Sequence, residues 1–129
     1  MADMSNVLEI ALLNSTLNGA SFTPVDNPYV SLWTTNPTDA ETGTEVSGGS
    51  YARAASSFPT ATTNTVATDA DVTFPTATAT WGTVGWIGLH SASTGTGNMI
   101  YHTALDASKT IDIGDVFKIT AGNLSVTLD

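Results

Sequence analysis

His90 and His102 are the only imidazoles in this chain, and they flank the turn Gly95-Thr96-Gly97-Asn98. If that turn closes a hairpin, both rings can lie on one face, but a metal centre would need further ligands. Nucleophilic catalysis would need a base beside a serine or threonine. Hydroxyls are abundant, yet no G-x-S-x-G elbow occurs, and Ser47-Gly48-Gly49-Ser50 lacks a strand–turn–helix setting. Acidic pairs recur as Asp39-x-Glu41, Asp69-x-Asp71 and Asp112-x-x-Asp115. Paired carboxylates hydrolyse glycosides only inside a cleft built for sugar. None of these follows the twelve-residue calcium loop, and aspartates of this kind commonly cap turns. The expectation is a chain with no catalytic residue, no metal site and no cofactor, with weak calcium binding left open.

Trp33, Trp81 and Trp86 could form a sugar platform, which would make the chain a carbohydrate-binding module. Aromatic residues in a chain of this size more often fill a core or an interface. Trp86 lies in the most apolar segment and is expected to be buried, whereas Trp81 follows small residues and is the better candidate for exposure. Arg53 is one of three basic residues. It shares a strand face with Tyr51, just after a loop carrying Asp39, Glu41 and Glu45. Its guanidinium either ties that loop to its own domain or reaches another subunit, where arginine is enriched. Arg53, Tyr51, Glu45, Asp39 and Trp81 are therefore the candidate interface residues.

These residues need elements to position them. Asn6 followed by Glu9 has capping-box spacing, and Leu8, Ala11 and Leu12 with Ile10, Leu13 and Leu17 give a broad apolar stripe at helical spacing. Asn18-Gly19 stops that helix. A helix of about three turns is marginal alone, so it either caps a β-core or docks on a neighbouring subunit. From Tyr29 onward the pattern is strands and turns. The segments are Tyr29–Thr34, Ser50–Phe58, Asp71–Phe74, Val84–His90, Met99–Leu105 and Lys109–Ile113, then a last hairpin of Asp115–Ala121 and Leu124–Leu128 around Gly122-Asn123, while Thr76–Trp81 alternates like a strand but with small residues on both faces. Thr60 to Thr68 reads as an exposed loop or edge. The result is a mainly β chain, an antiparallel sandwich or barrel of about seven to eight strands with one short N-terminal helix. It is expected to be one domain, 1–129, with 1–20 as the helical arm or cap.

Composition narrows the partners. Net charge is -9, with only Arg53, Lys109 and Lys118 basic. Holding nucleic acid needs several phosphate-neutralising cations, so neither nucleic acid nor an anionic membrane is an expected partner. No apolar run approaches the roughly 20 residues that span a bilayer, and the N-terminal residues lack a signal-peptide pattern, so a cytosolically made, unprocessed protein is expected. Cysteine is absent, which excludes disulfides and thiolate ligands. Threonine supplies 23 of the 129 residues. It is stiff and suits the solvent face of a strand, giving an uncharged, quiet surface suited to static contacts.

The segments Leu32-Trp33-Thr34-Thr35-Asn36-Pro37-Thr38-Asp39 and Gly43-Thr44-Glu45-Val46-Ser47-Gly48-Gly49-Ser50-Tyr51-Ala52-Arg53 resemble a family of small tailed-bacteriophage virion proteins, labelled tail-fibre-like or capsid cement (decoration) proteins. The resemblance continues through Trp81-Gly82-Thr83-Val84, the strand to Leu89, and Leu105-Asp106-Ala107-Ser108-Lys109-Thr110 to Gly122-Asn123-Leu124. It implies a non-enzymatic virion structural protein, a homotrimer with no catalytic residues to carry over. The chain shows neither a long repeat nor a tip domain, which favours a cement protein bound to the major capsid protein on the capsid surface. A tail-associated adaptor or short tail-fibre component is the alternative.

Overall fold

The computed structural model describes residues 2–128, so the first and last residues of the expected domain lie outside the described residues. Along them run β1 (Asp3–Met4), α1 (Asn6–Leu17), β2 (Tyr29–Trp33), β3 (Ala54–Ala55), β4 (Thr65–Ala67), β5 (Val72–Thr73), β6 (Gly82–His90), β7 (Met99–Ile111), β8 (Lys118–Ile119) and β9 (Ser125–Thr127). A five-stranded antiparallel sheet has the order β1-β7-β6-β2-β3, and β4 with β9 and β5 with β8 form two-stranded sheets. The mainly β, antiparallel class with one N-terminal helix is the class read from turn spacing.

Strand periodicity places the core. Opposite residues in an antiparallel pair share a face, so Val30 and Leu32 align with Leu89 and Ile87 on one side of the sheet. Val72, Phe74, Ala77, Trp81, Leu124 and Val126, from the small sheets and their loops, close over that side. Ser31 and Trp33 align with Gly88 and Trp86 on the reverse side. Ser31, Trp33 and His90 are also buried there, so β2 is covered on both faces.

Several expected boundaries move. Met99–Leu105 and Lys109–Ile113 are one long strand with a register shift, in which Val84 faces Lys109 whereas Trp86 faces Ala104. Ser50–Phe58 contracts to β3, because its amides are taken up by loop contacts such as Tyr51 N to the Gly48 carbonyl. Thr76–Trp81 is a loop that buries Ala77 and Trp81 rather than a strand. The last two strands do not pair with each other. β8 pairs with β5 and β9 with β4, while the Gly122 turn wraps Thr68, whose amide donates to the Leu124 carbonyl at 2.9 Å and whose carbonyl accepts from Gly122. β4 gives the Thr60–Thr68 stretch the edge strand that its alternative reading expected.

The N-cap of α1 is Ser5, one residue before the expected Asn6, and its Oγ accepts from the Leu8 amide at 3.3 Å. Ser5 is chosen because its own amide is held by the Ile100 carbonyl at 2.9 Å and its hydroxyl donates to the Met99 carbonyl. The helix thus starts from β7. Leu8 is its buried anchor.

Gly88 is where the reverse face has no room. A Cβ there would lie 2.8 Å from Ser31 Oγ, 3.0 Å from His90 Nε2 and 3.1 Å from Met99 Sδ. Gly88→Ala is expected to destabilise the fold by about 1–3 kcal/mol through overpacking, measured by urea unfolding against Gly85→Ala, where a Cβ would meet nothing within 4 Å.

Candidate functional site

The chain leaves β2, turns at Asn36-Pro37 and returns alongside it. Trp33 bridges Glu45, and the Val46 amide donates to the Leu32 carbonyl at 2.9 Å. Asn36 Oδ1 accepts from the Thr38 amide, the side-chain turn expected of asparagine. Gly43 is obligatory in this loop, since a Cβ would lie 2.5 Å from the Asn36 carbonyl oxygen. The turn delivers Glu45, Tyr51 and Arg53 to one place.

Arg53 is bonded through all five of its N–H groups. Nε and Nη2 donate to the two oxygens of Glu45 at 2.8 Å each. Nη1 donates to the Ala92 carbonyl at 3.1 Å and to Asn98 Oδ1 at 3.2 Å, and Nη2 also donates to the Gly95 carbonyl at 2.7 Å. Its side chain is 4% exposed. Tyr51 completes the cluster, donating from Oη to Glu45 Oε2 at 2.7 Å and accepting from the Leu32 amide at 3.0 Å. Burial opposes ionisation of Glu45, but hydrogen bonds from Arg53 and Tyr51, with the arginine charge, hold its carboxyl below the ordinary range. Burial and the neighbouring Glu45 charge push the Tyr51 phenol well up.

Behind this cluster lies His90. Asn98 Nδ2 donates to the Thr94 carbonyl and Oδ1 accepts from Arg53, so His90 Nδ1, 2.8 Å from Oδ1, must be the donor. Its bare Nε2 then accepts from Ser31 Oγ at 2.8 Å, and Ser31 Oγ accepts from Trp33 Nε1 at 2.7 Å. This is a neutral imidazole, stacked parallel to Trp33 at 6.3 Å. Burial, followed by repulsion from Arg53, lowers its pKa. Glu41 approaches from the loop. Its Oε2 accepts from the Gly97 amide at 2.7 Å, while buried Oε1 lies 3.8 Å from His90 Nδ1 and has no hydrogen bond among the described residues.

The five candidate interface residues thus separate. Arg53, Tyr51 and Glu45 meet in one cluster, and buried Trp81 packs edge-on against Tyr51 at 5.4 Å while donating to the Gly49 carbonyl at 2.9 Å. Asp39 sits apart, its carboxylate 2.7 Å from His102 Nε2 and its carbonyl accepting from the Asn6 amide. The two histidines share a sheet face but take separate partners. The exposure expected of Trp81 is corrected: it is 5% exposed, because the loop of residues 76–81 folds inward over Tyr51. Trp33 is buried as well, and half-buried Trp86 is the most accessible of the three, the reverse of the expectation. With Trp33 and Trp81 in the interior, the sugar-platform reading loses its surface.

Glu41, His90 and Asn98 were not singled out for this cluster in the sequence. The signal was present in the double-glycine turn: Gly95 and Gly97 both take positive φ, turning backbone carbonyls and amides inward. The expected broad apolar stripe on α1 proves to have two sides. Leu8 faces β7, whereas Ile10 (60% exposed), Leu13 (58%) and Leu17 (80%) line the outer face with Val7. Phe22 is exposed nearby, and a cleft of ≈ 530 Å³ runs between Val7, Leu8, Ala11 and the segment Ser21–Asp26. Burying one such side chain fully is worth about 1.5–3 kcal/mol. These five partly exposed residues therefore leave roughly 4–8 kcal/mol of apolar burial unrealised per chain.

A family model described as podophage GP4 fiber I protein gp80 matches residues 3–127. No curated protein matches the chain.

Arg53→Ala is expected to cost about 3–5 kcal/mol, since it strands the Glu45 carboxylate and the Ala92 and Gly95 carbonyls. Arg53→Lys should recover only part of this, because an ammonium cannot copy the fork. Urea unfolding at neutral pH measures both. A loss confined to assembly mass, with unfolding unchanged, would return Arg53 to an intersubunit role.

Acidification should destabilise the chain in two stages. The folded-state pKa of His90 is lowered from 6.5, so its contribution is complete above 6.5 and is lost as pH falls through the folded value. Glu45, lowered from 4.5, contributes fully above 4.5 and loses its share below that. Unfolding free energy measured stepwise from neutral to acid should fall in both windows, and His90→Gln should flatten only the upper one.

Proposed function

The chain belongs to the podophage GP4 fiber I protein gp80 family, a family of phage structural proteins, and on that premise we propose that it is a non-enzymatic tail-fibre component of the virion. The observation that carries this reading is the family match over residues 3–127, which spans the β-fold and its helix together. The Arg53 cluster supports it. All five guanidinium donors end on the protein's own acceptors, so the cluster acts as a clamp that stiffens two loops, as suits a static structural component of a particle. In this reading the subunits associate as a homotrimer, and the threonine-rich, weakly charged surface lies against other virion proteins.

A second reading is a capsid cement protein that binds the major capsid protein on the outer head surface and stabilises the head. It is favoured by the compact β-fold, whose exposed stretches such as Thr60–Thr65 are rich in threonine and free of charge. The two readings differ in copy number. Antibody or gold labelling of intact particles should mark a few copies at one vertex for a fibre component, and hundreds of copies over the head for cement. A particle lacking the protein should lose host attachment in the first case, and resistance to heat or osmotic shock in the second. Absence of the protein from purified particles would overturn both.

A further inference from the structure

We infer that the outer face of α1, formed by Val7, Ile10, Leu13 and Leu17, is the surface through which copies of this chain pack against one another, helix to helix. This deepens the homotrimer reading by giving the contact its place, and it moves that contact away from Arg53. Ile10, Leu13 and Leu17 follow the three-then-four interval of a coiled-coil seam. The helix cannot turn this face inward. Its opposite side is already committed: Ser5 to the Met99 and Ile100 backbone, Asn6 to the Asp39 carbonyl and Leu8 to the interior.

Charge identifies the occupant. The chain carries -9 overall, yet residues 6–25 contain a single charged side chain, Glu9. Two copies meeting along this stretch add almost no charge repulsion at the contact itself. A basic protein partner would find one carboxylate to pair with here, and an anionic membrane would find no cation, since Arg53, Lys109 and Lys118 all lie elsewhere. What fits is another apolar, nearly uncharged ridge, and the same ridge on a second copy is one. The area argument agrees. Apolar burial left by one ridge only reaches the low end of association costs, whereas two ridges facing one another bring it to the size of those costs.

Light scattering across micromolar to submillimolar concentration tests the proposal. The unmodified chain should show a multiple of its monomer mass, falling on dilution. Ile10→Glu with Leu13→Glu should give a folded monomer, with fold checked by near-ultraviolet circular dichroism. Ile113→Glu, at an apolar residue 72% exposed on another part of the surface, should leave the mass unchanged. Because the chain has no cysteine, Leu13→Cys gives a second readout that needs no charge in the helix. It should cross-link to itself on oxidation, whereas Ile113→Cys should not. A monomer at every concentration, an unchanged mass in the folded double variant, or equal cross-linking at both cysteines would overturn the proposal. An oligomer that ignores the ridge would leave the virion reading standing. Absence of the protein from particles would overturn the virion reading and leave the solution contact intact.

Discussion

Arg53 joins three segments of the chain through one side chain, and a planar fork with five donors suits it to do so from one position. The loop after β2 contributes Glu45, the turn between β6 and β7 contributes two carbonyls and Asn98, and the start of the β3 segment contributes Arg53 itself. The β6–β7 turn carries little apolar surface to hold its own course: residues 91–97 hold no buried residue, and Gly95 and Gly97 take positive φ. Desolvating a guanidinium costs several kcal/mol, which is regained only when every proton finds an acceptor. Here each one does. Of three basic residues in a chain of net charge -9, one is therefore withdrawn from solvent to order the protein's own loops.

The consequences run from that clamp to the helix. Asn98, positioned by Arg53, fixes the tautomer of His90, and His90 orients Ser31 beneath Trp33. Glu41 ties the same turn to the loop through the Gly97 amide, although its own backbone is held at φ 58, a region costly for any residue with a side chain. Two residues earlier, Asp39 binds His102 and caps the Asn6 amide. One loop therefore joins the β6–β7 turn to the first turn of α1. The direction in which the helix presents its outer face is set by polar contacts on the sheet's reverse side, since the helix's own apolar pattern would let it roll.

Much of this was legible in the sequence, and for identifiable reasons. The spacing of Gly and Pro between short alternating runs gave the antiparallel class, because a strand must end where the chain turns. The pairing of the last strands was not legible. Gly122-Asn123 is a good local turn, but Val126 and Ile119 gain more by joining separate strands over the core than by facing each other. Trp81 misled for a related reason. Its small neighbours look like an exposed strand, yet the indole reaches past them to the Gly49 carbonyl and the edge of Tyr51. That Arg53 could tie down the loop before it was legible from its charge opposite Asp39, Glu41 and Glu45, but not that Glu45 would be the one it meets. Asn98 and the Ala92 and Gly95 carbonyls were not, because their contribution depends on how the intervening turn curls.

Arginine is enriched at interfaces because its fork offers many bonds to a partner. That argument needs unused donors, and Arg53 has none left to offer. A hydrophobic contact needs accessible apolar area, and the outer face of α1 supplies that while the buried Arg53 cluster does not. The two sites therefore divide the work. Buried charge gives one fixed arrangement of the loops, because moving any of them strands a charged group. The uncharged helix face can then meet a copy of itself without adding to the repulsion that net charge already imposes. Exchanging the roles would fail on both counts: leucines in place of the clamp would leave the turn carbonyls unpaired, and carboxylates on the ridge would set like charges facing one another.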